Sequence, residues 1–210
     1  MTARQEVERE KSEGRQYVSR DDVIEAAFAL AESDGLDALT MRKLAARLGR
    51  APMSLYTHVK NREDLVDAMV ERLIARLDLD DRPGETWQEA LRSALGGYRD
   101  LAVRFPRVFE LLALAPYDSS PVAPHLARML ARLERGGLEP DQARHVLGIA
   151  DAYASGFLVV WARTQFEHAT NAPDDLPSGV AGLRDLATFE PGLEALIAGL
   201  DATLVRAPGR

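Results

Sequence analysis

The chain contains no cysteine. That excludes a disulfide framework, a thiolate metal site and a cysteine nucleophile. Histidine is scarce as well. His58, His125, His145 and His168 lie far apart, and none belongs to an HExxH or similar ligand spacing. Asp141 and His145 are four apart and read as a surface ion pair rather than a metal site. Gly96-Gly97 and Gly136-Gly137 follow no strand, so neither is a phosphate cradle. Of 26 basic residues only Lys11, Lys43 and Lys60 are lysine. No apolar run approaches the length needed to span a bilayer. The stretch MTARQEVEREKSEGRQYVSR lacks the apolar core of a signal peptide. These absences predict a cytoplasmic protein without a membrane partner, a cofactor, a metal or catalytic residues, and so not an enzyme. No run of alternating residues is long enough to argue for a sheet, and no internal repeat is present. The fold class is all-α.

One charge imbalance stands out against this background. Thr40 to Arg62, TMRKLAARLGRAPMSLYTHVKNR, holds Arg42, Lys43, Arg47, Arg50, Lys60 and Arg62 and no acid. The whole chain is at −7, so with six positive charges set aside the remainder carries −13. An acidic protein that keeps one segment purely basic presents it to a polyanion. A solvated helix pair would mix both signs.

The basic segment also has a local design. Thr40 caps a helix over Met41–Leu48, with Leu44, Ala45 and Leu48 on its apolar face. Gly49 stops that helix, because glycine takes positive φ without steric cost. Pro52 suits the first turn of a second, short helix to about His58, where its missing N–H does no harm. Leu55 is the buried anchor of that helix. Two short helices joined by a tight glycine turn, under a basic surface, make a helix-turn-helix.

Helical patterns extend on both sides. Ser19 and Asp22 predict a capping box ahead of Val23, Ala27, Leu30 and Ala31, with Asp34-Gly35 as the stop. Asn61 caps a helix whose face is Leu65, Met69, Leu73 and Leu77, with Val66 and Ala68 beside them. The polar, acidic stretch Asp78–Thr86 contains Pro83-Gly84 and reads as a linker. Beyond it, helices are predicted at about Thr86–Arg104, Pro106–Leu114, Val122–Arg135, Pro140–His168 and Leu193–Val205. A short helix over Leu183–Phe189 is left open.

Residues Arg20 to Leu77 resemble the DNA-binding domain of the tetracycline-repressor (TetR) family. The resemblance rests on Gly35-Leu36, then LTMRKLAARLG, then SLYTHVKNREDLVDAM, with Leu55-Tyr56, His58-Val59-Lys60-Asn61 and Leu65 in place. It implies that Arg42 reads a guanine edge by two parallel hydrogen bonds. It places Pro52, Met53, Ser54, Thr57 and His58 on the recognition helix, and Tyr56 and Lys60 on backbone phosphates. Lys43 joins this DNA-binding set. Pro52 and Met53 have no side-chain donor and offer apolar contact only, for instance to a thymine methyl. The family's best-known ligand, a metal-bound tetracycline, is held partly through a histidine near the second sensor-domain helix. Pro106–Tyr117 contains none.

The second half carries most of the aromatics. Bundles bind small molecules between helices, in apolar and aromatic cavities with few polar groups. The candidate lining is Tyr98, Phe105, Phe109, Leu112, His125, Met129, Tyr153, Phe157 and Trp161. Tyr98, His125, Tyr153 and Arg163 are the candidate polar handles. On Pro140–His168, Gly148, Ala152 and Gly156 put small residues every four positions. Leu193, Leu196, Ile197, Leu200 and Leu204 form a narrow stripe on the last helix. These two helices together predict half of a four-helix dimer interface across a twofold axis, with intramolecular packing of the last helix as the rival.

The expected organisation is a flexible arm over 1–18, a three-helix helix-turn-helix domain over 19–64, a connecting helix and linker over 65–85, and an α-helical ligand-binding and dimerisation bundle over 86–210. The function expected is a homodimeric transcriptional regulator on a palindromic duplex operator. It is read as a repressor released by a small, mostly apolar effector. The alternative is a regulator of the same fold answering to a protein partner or to no effector.

Overall fold

The computed structural model describes residues 18–77, 82–167 and 185–206. Among them every regular element is helical and no strand occurs. The chain forms two compact units that divide between Leu65 and Val66.

The first unit opens with α1 (Arg20–Asp34). Its start is fixed by a reciprocal cap. The Asp22 N–H donates to Ser19 Oγ at 3.1 Å, and the Ser19 N–H donates to Asp22 Oδ2 at 2.8 Å. The Ser19 N–H, and after it the Ser19 hydroxyl at 2.7 Å, donate to the Asp22 carboxyl and hold it below its ordinary pKa. Val23, Ile24, Ala27, Phe28, Leu30 and Ala31 are buried along one side. A 3₁₀ turn over Leu36–Ala38 leads to α2 (Met41–Arg47), α3 (Pro52–Leu55) and α4 (Arg62–Ile74). The Lys43 N–H donates to Thr40 Oγ1 at 3.3 Å, which begins α2, and the Asp64 N–H donates to Asn61 Oδ1 at 2.8 Å, which begins α4. Gly49 takes φ +64 in the turn between α2 and α3, a conformation that disfavours any side chain. Leu39, Leu44, Ala45, Leu55, Val59 and Leu65 make the core, each at most 1% exposed. A fully buried leucine contributes about 1.5–3 kcal/mol, so this small set suffices to hold three short helices.

The second unit contains α5 (Trp87–Arg104), α6 (Phe109–Ala113), α7 (Val122–Arg135), α8 (Pro140–Glu167) and α9 (Phe189–Leu200), which runs into a π-helical turn over Asp201–Val205. The long α8 is central and packs against α5, α6, α7 and α9. Ala143, Val146, Ala150, Ala154 and Leu158 are its fully buried face. Thr86 and Glu89 form a second reciprocal cap at the start of α5. There α5 meets the end of α7: the Trp87 N–H donates to the Gly136 carbonyl at 3.0 Å. A Cβ on Gly136 would lie 2.5 Å from the Trp87 nitrogen, so only glycine permits this approach. Beside it, Arg132 donates to Glu85 through two nitrogens at 2.8 and 2.7 Å, with both side chains buried.

Several boundaries differ from the sequence expectations. The α3 helix ends at Leu55 and continues as turns to His58, and α4 ends at Ile74 rather than Leu77. The α6 helix starts at Phe109, after a turn that follows Pro106. The α9 helix starts at Phe189, not Leu193, and a 3₁₀ turn over Leu186–Thr188 precedes it. Pro191 lies in the first turn of α9, where an N–H has no intrahelical acceptor. A Cβ on Gly192 would meet the Tyr153 hydroxyl, so a larger residue there would push that ring aside. Within the 27 residues Pro140–Phe166 an 18-residue stretch reaches a mean hydropathy of 1.3, which by length and composition alone is enough to cross a membrane. That overturns the expectation that no such run exists. It was missed because glycine, alanine and isolated charges interrupt the larger apolar residues. Asp141 pairs with Arg144, not with His145. The arm over 1–17, residues 78–81, His168 and the loop over 171–182 lie outside the described residues.

The stripe on the last helix is also reassigned. Leu193, Ile197 and Leu200 are buried within the single chain, and Leu196 and Leu204 are half-buried. Polar ties hold the helix in place. Arg92 donates to both Glu194 oxygens at 2.6 and 2.9 Å. The Tyr153 hydroxyl donates to the Phe189 carbonyl at 2.8 Å, and Gln142 donates to the Leu204 carbonyl at 3.0 Å. Intramolecular packing therefore takes that stripe.

Candidate nucleic-acid interface and enclosed cavity

The first unit displays its polar chemistry on the outside. Arg42, Lys43, Arg47, Lys60 and Arg62 are exposed. So are Pro52, Met53, Ser54, Tyr56 and Thr57, with Met53 at 75% and Tyr56 at 45%. A tyrosine that open is not a core aromatic. His58 is half-buried. Leu55 points the other way and is sealed in the core, so α3 is anchored by one leucine and presents its remaining side chains.

Local hydrogen bonds restrict what these side chains can offer. The Ser54 hydroxyl donates to the Ala51 carbonyl and the Thr57 hydroxyl to the Ser54 carbonyl, both at 2.7 Å. Their lone pairs are left as acceptors. Arg62 reaches back to the Leu39 carbonyl at 3.3 Å, and the Lys60 N–H donates to Asp64 at 2.8 Å. Both contacts steady the chain that follows α3. The result is a short exposed helix, flanked by guanidinium and ammonium groups, of a size that enters a major groove.

The second unit places its polar chemistry inside. A partly open cavity is lined by Leu77, Leu91, Ala94, Leu95, Leu126, Met129 and Leu147, with Tyr98, His125 and Asp151 as its polar members. Its free volume is about 40 Å³, room for about three water molecules. Tyr98, His125 and Met129 were expected here. The other six expected residues are not among the lining. Phe109 is buried behind Tyr98, edge-on at 4.8 Å between ring centroids, and Leu112 is buried as well. The Phe105 ring lies under the Arg76 and Arg104 guanidinium groups. Tyr153 and Phe157 cluster with Phe189 of α9, at 5.5 and 5.4 Å. Trp161 is half-buried further along α8. Arg163 is tied to Glu110 and is not among the lining residues.

Two features of the cavity carry chemistry. His125 is 91% buried by area, since 9% remains exposed, and its Nδ1 has no hydrogen-bond partner. Burial, and then the nearby Arg128 charge, push its pKa down to about 4, so the imidazole is neutral at physiological pH. Asp151 accepts from the Tyr117 hydroxyl at 2.5 Å, while the Tyr117 side chain is 59% exposed. That hydrogen bond, more than burial, pushes the Tyr117 phenol up to about 12. Burial raises the Tyr98 phenol above its ordinary range, and Ser155 is its hydrogen-bonding neighbour. Sequence reading missed Asp151. The available signal was an acid one turn past Leu147 on an otherwise apolar helix.

Among the described residues all regular structure is helical, with an exposed basic helix-turn-helix in one unit and a cavity within the other. The family signature described as "Bacterial regulatory proteins, tetR family" matches residues 23–69. The tetracycline repressor protein class D of Escherichia coli is 40% identical over 90 residues, which are 42% of this chain and 41% of that protein. The class E repressor of Escherichia coli is 29% identical over 199 residues, 89% of this chain and 92% of that one. A TetR variant from Acinetobacter baumannii solved with minocycline superposes with a TM-score of 0.71 at 26% identity, covering 89% of this chain and 98% of that one. Residues 23–69 carry the TetR-family signature, and the chain as a whole is similar to members of that family. Its match to the class D repressor spans only two fifths of that relative's length.

Proposed function

We propose that this protein is a DNA-binding transcriptional regulator and acts as a repressor that a small, mostly apolar effector releases from its operator. The observation that carries the DNA-binding reading is the exposed helix α3 within a purely basic segment, held from behind by Leu55. On this reading residues 19–64 bind DNA, 65–85 connect, and 86–210 bind effector and dimerise. Arg42 reads a base edge, Tyr56 and Lys60 hold phosphates, and Pro52, Met53, Ser54, Thr57 and His58 face the groove, with Lys43 beside them. No step in this reading is catalytic, and its place of action is the cytoplasm.

A twofold dimer fits the exposed side of α8. Gly148, Ile149, Ala152, Gly156 and Val160 lie on it, all open to solvent in the single chain. Small residues at this spacing let an identical helix approach closely, and two identical heads then require a palindromic site. Ala152→Glu with Val160→Glu should give folded monomers in light scattering. Those monomers should bind operator weakly, because each head loses the effective concentration supplied by its twin. A variant that stays dimeric places the interface elsewhere.

The test of DNA binding is selection of a duplex from a random library, followed by titration with Arg42→Ala. The variant should lose about 1–3 kcal/mol and relax selectivity at one position per half-site. Binding should fall steeply with salt as counterions are released. Unchanged selectivity would remove Arg42 from base reading. A second reading, a regulator with no small-molecule effector, is favoured by the 40 Å³ cavity, which must widen before a drug-sized molecule enters. Effector-dependent release of the selected duplex separates the two, since only a ligand that prefers the non-binding arrangement weakens DNA affinity.

A further inference from the structure

The cavity has a charge character that restricts what it can accept. Among the described residues its lining contains one carboxylate, Asp151, and no lysine or arginine. The only other ionisable groups among its lining are His125, neutral at physiological pH, and Tyr98, held protonated by burial. Arg128, which faces His125 electrostatically, is exposed on α7 and outside the lining. An anion entering this space would meet Asp151 with no compensating cation, and would lose its hydration as well. A cation would find a counter-ion and a buried imidazole nitrogen that has no partner.

We propose, resting on the effector-sensing reading above, that the cavity is built for a hydrophobic amine, with Asp151 as counter-ion, His125 Nδ1 as second acceptor and the Tyr117 hydroxyl as the donor that the ammonium displaces. The geometry supports each role. Asp151 Oδ2 is satisfied by Tyr117 at 2.5 Å, while Oδ1 has only a long contact to Ser155 Oγ at 3.5 Å. The displaced phenol costs little, because Tyr117 is more than half exposed and water replaces its partner. His125 Nδ1 is a buried acceptor or donor with no partner, a state that native interiors rarely leave unexplained. An ammonium has three N–H donors and can satisfy both Asp151 and His125. The leucines and Met129 take the apolar body.

The full-length protein would be titrated calorimetrically with three probes of one skeleton: naphthylmethylamine, naphthylmethanol and naphthoate. The amine should bind about 10-fold to 100-fold tighter than the alcohol, the range for a hydrogen bond to a charged group, and naphthoate should not bind measurably. Asp151→Asn should bring the amine to the level of the alcohol while alcohol binding stays within about two-fold, which separates charge recognition from loss of fold. Tyr117→Phe should tighten the amine several-fold, since no hydroxyl competes for Asp151. Alcohol or naphthoate binding as tight as the amine overturns the amine inference and leaves the sensor reading standing. Binding of none of the three overturns the amine inference, and the sensor reading then falls only if no apolar compound releases the selected duplex. Weaker amine binding by Tyr117→Phe overturns the displacement of the phenol.

Discussion

The two units put their chemistry on opposite sides of their cores. In the first, the residues assigned to function are exposed and the structural ones are hidden: Met53 is 75% open beside Leu55 at 1%. In the second, the polar residues that matter turn inward: His125 and Arg132 are buried, and half-buried Asp151 lines a cavity. A surface that meets a polyanion need only be exposed and positively charged, so its residues contribute little to stability. A receptor that meets a small molecule must bury polar groups, and each one then bears on folding as well as on binding. Function and stability are therefore separable in the head and coupled in the bundle.

The sharpest break of that contrast is at the buried ion pair. Glu85→Ala should destabilise the second unit by about 3–5 kcal/mol in urea unfolding, because buried Arg132 loses the carboxylate that accepts from two of its nitrogens. A loss below 1 kcal/mol would mean that water reaches Arg132 and that the bundle tolerates buried charge as a surface does.

The next effect is on pH dependence. Burial lowers the His125 pKa in the folded state to about 4, below its unfolded value of about 6.5. Stability from this depressed group is complete above the unfolded pKa and is lost as pH falls from there toward the folded one. Between pH 7 and pH 5 the wild type should lose about 2 kcal/mol more than His125→Gln, by the linkage relation. Parallel pH profiles for the two proteins would show that His125 titrates as it does in the unfolded chain.

Smaller effects belong to the head. Thr40→Ala should cost about 1 kcal/mol, since the Lys43 N–H loses its cap at the start of α2. Met53→Ala and Arg42→Ala should each change thermal stability by less than about 0.5 kcal/mol, as exposed substitutions do, while Arg42→Ala weakens operator binding. A large stability loss from either would tie the DNA-facing surface to the core and erase the contrast between the units.

Local spacing made the head legible before any coordinates. The Ser19–Asp22 cap, the Thr40 cap, Gly49 in positive φ, Pro52 at the first helical position and buried Leu55 all follow from interactions within about four residues. Such interactions are written in sequence order. The helix count and the bounds of α7 were readable for the same reason, because apolar periodicity and glycine stops are local signals.

Distance along the chain is what the sequence does not encode directly. Asp151 lies beside Tyr117, 34 residues away, and Tyr153 turned toward Phe189 rather than into the cavity. Both lie on the same helix two positions apart, and only the packing of α5, α7 and α9 around α8 decides which side each of them faces. The stripe of α9 was ambiguous for that reason: Leu193, Ile197 and Leu200 suit a second chain as well as their own. The intramolecular ties from Arg92, Gln142 and Tyr153 chose their own, leaving the small-residue side of α8 open. Sequence alone determined an all-α fold class and a basic helix-turn-helix. Tertiary structure decided which buried polar groups share a cavity, because several helices must converge before their side chains acquire a common environment.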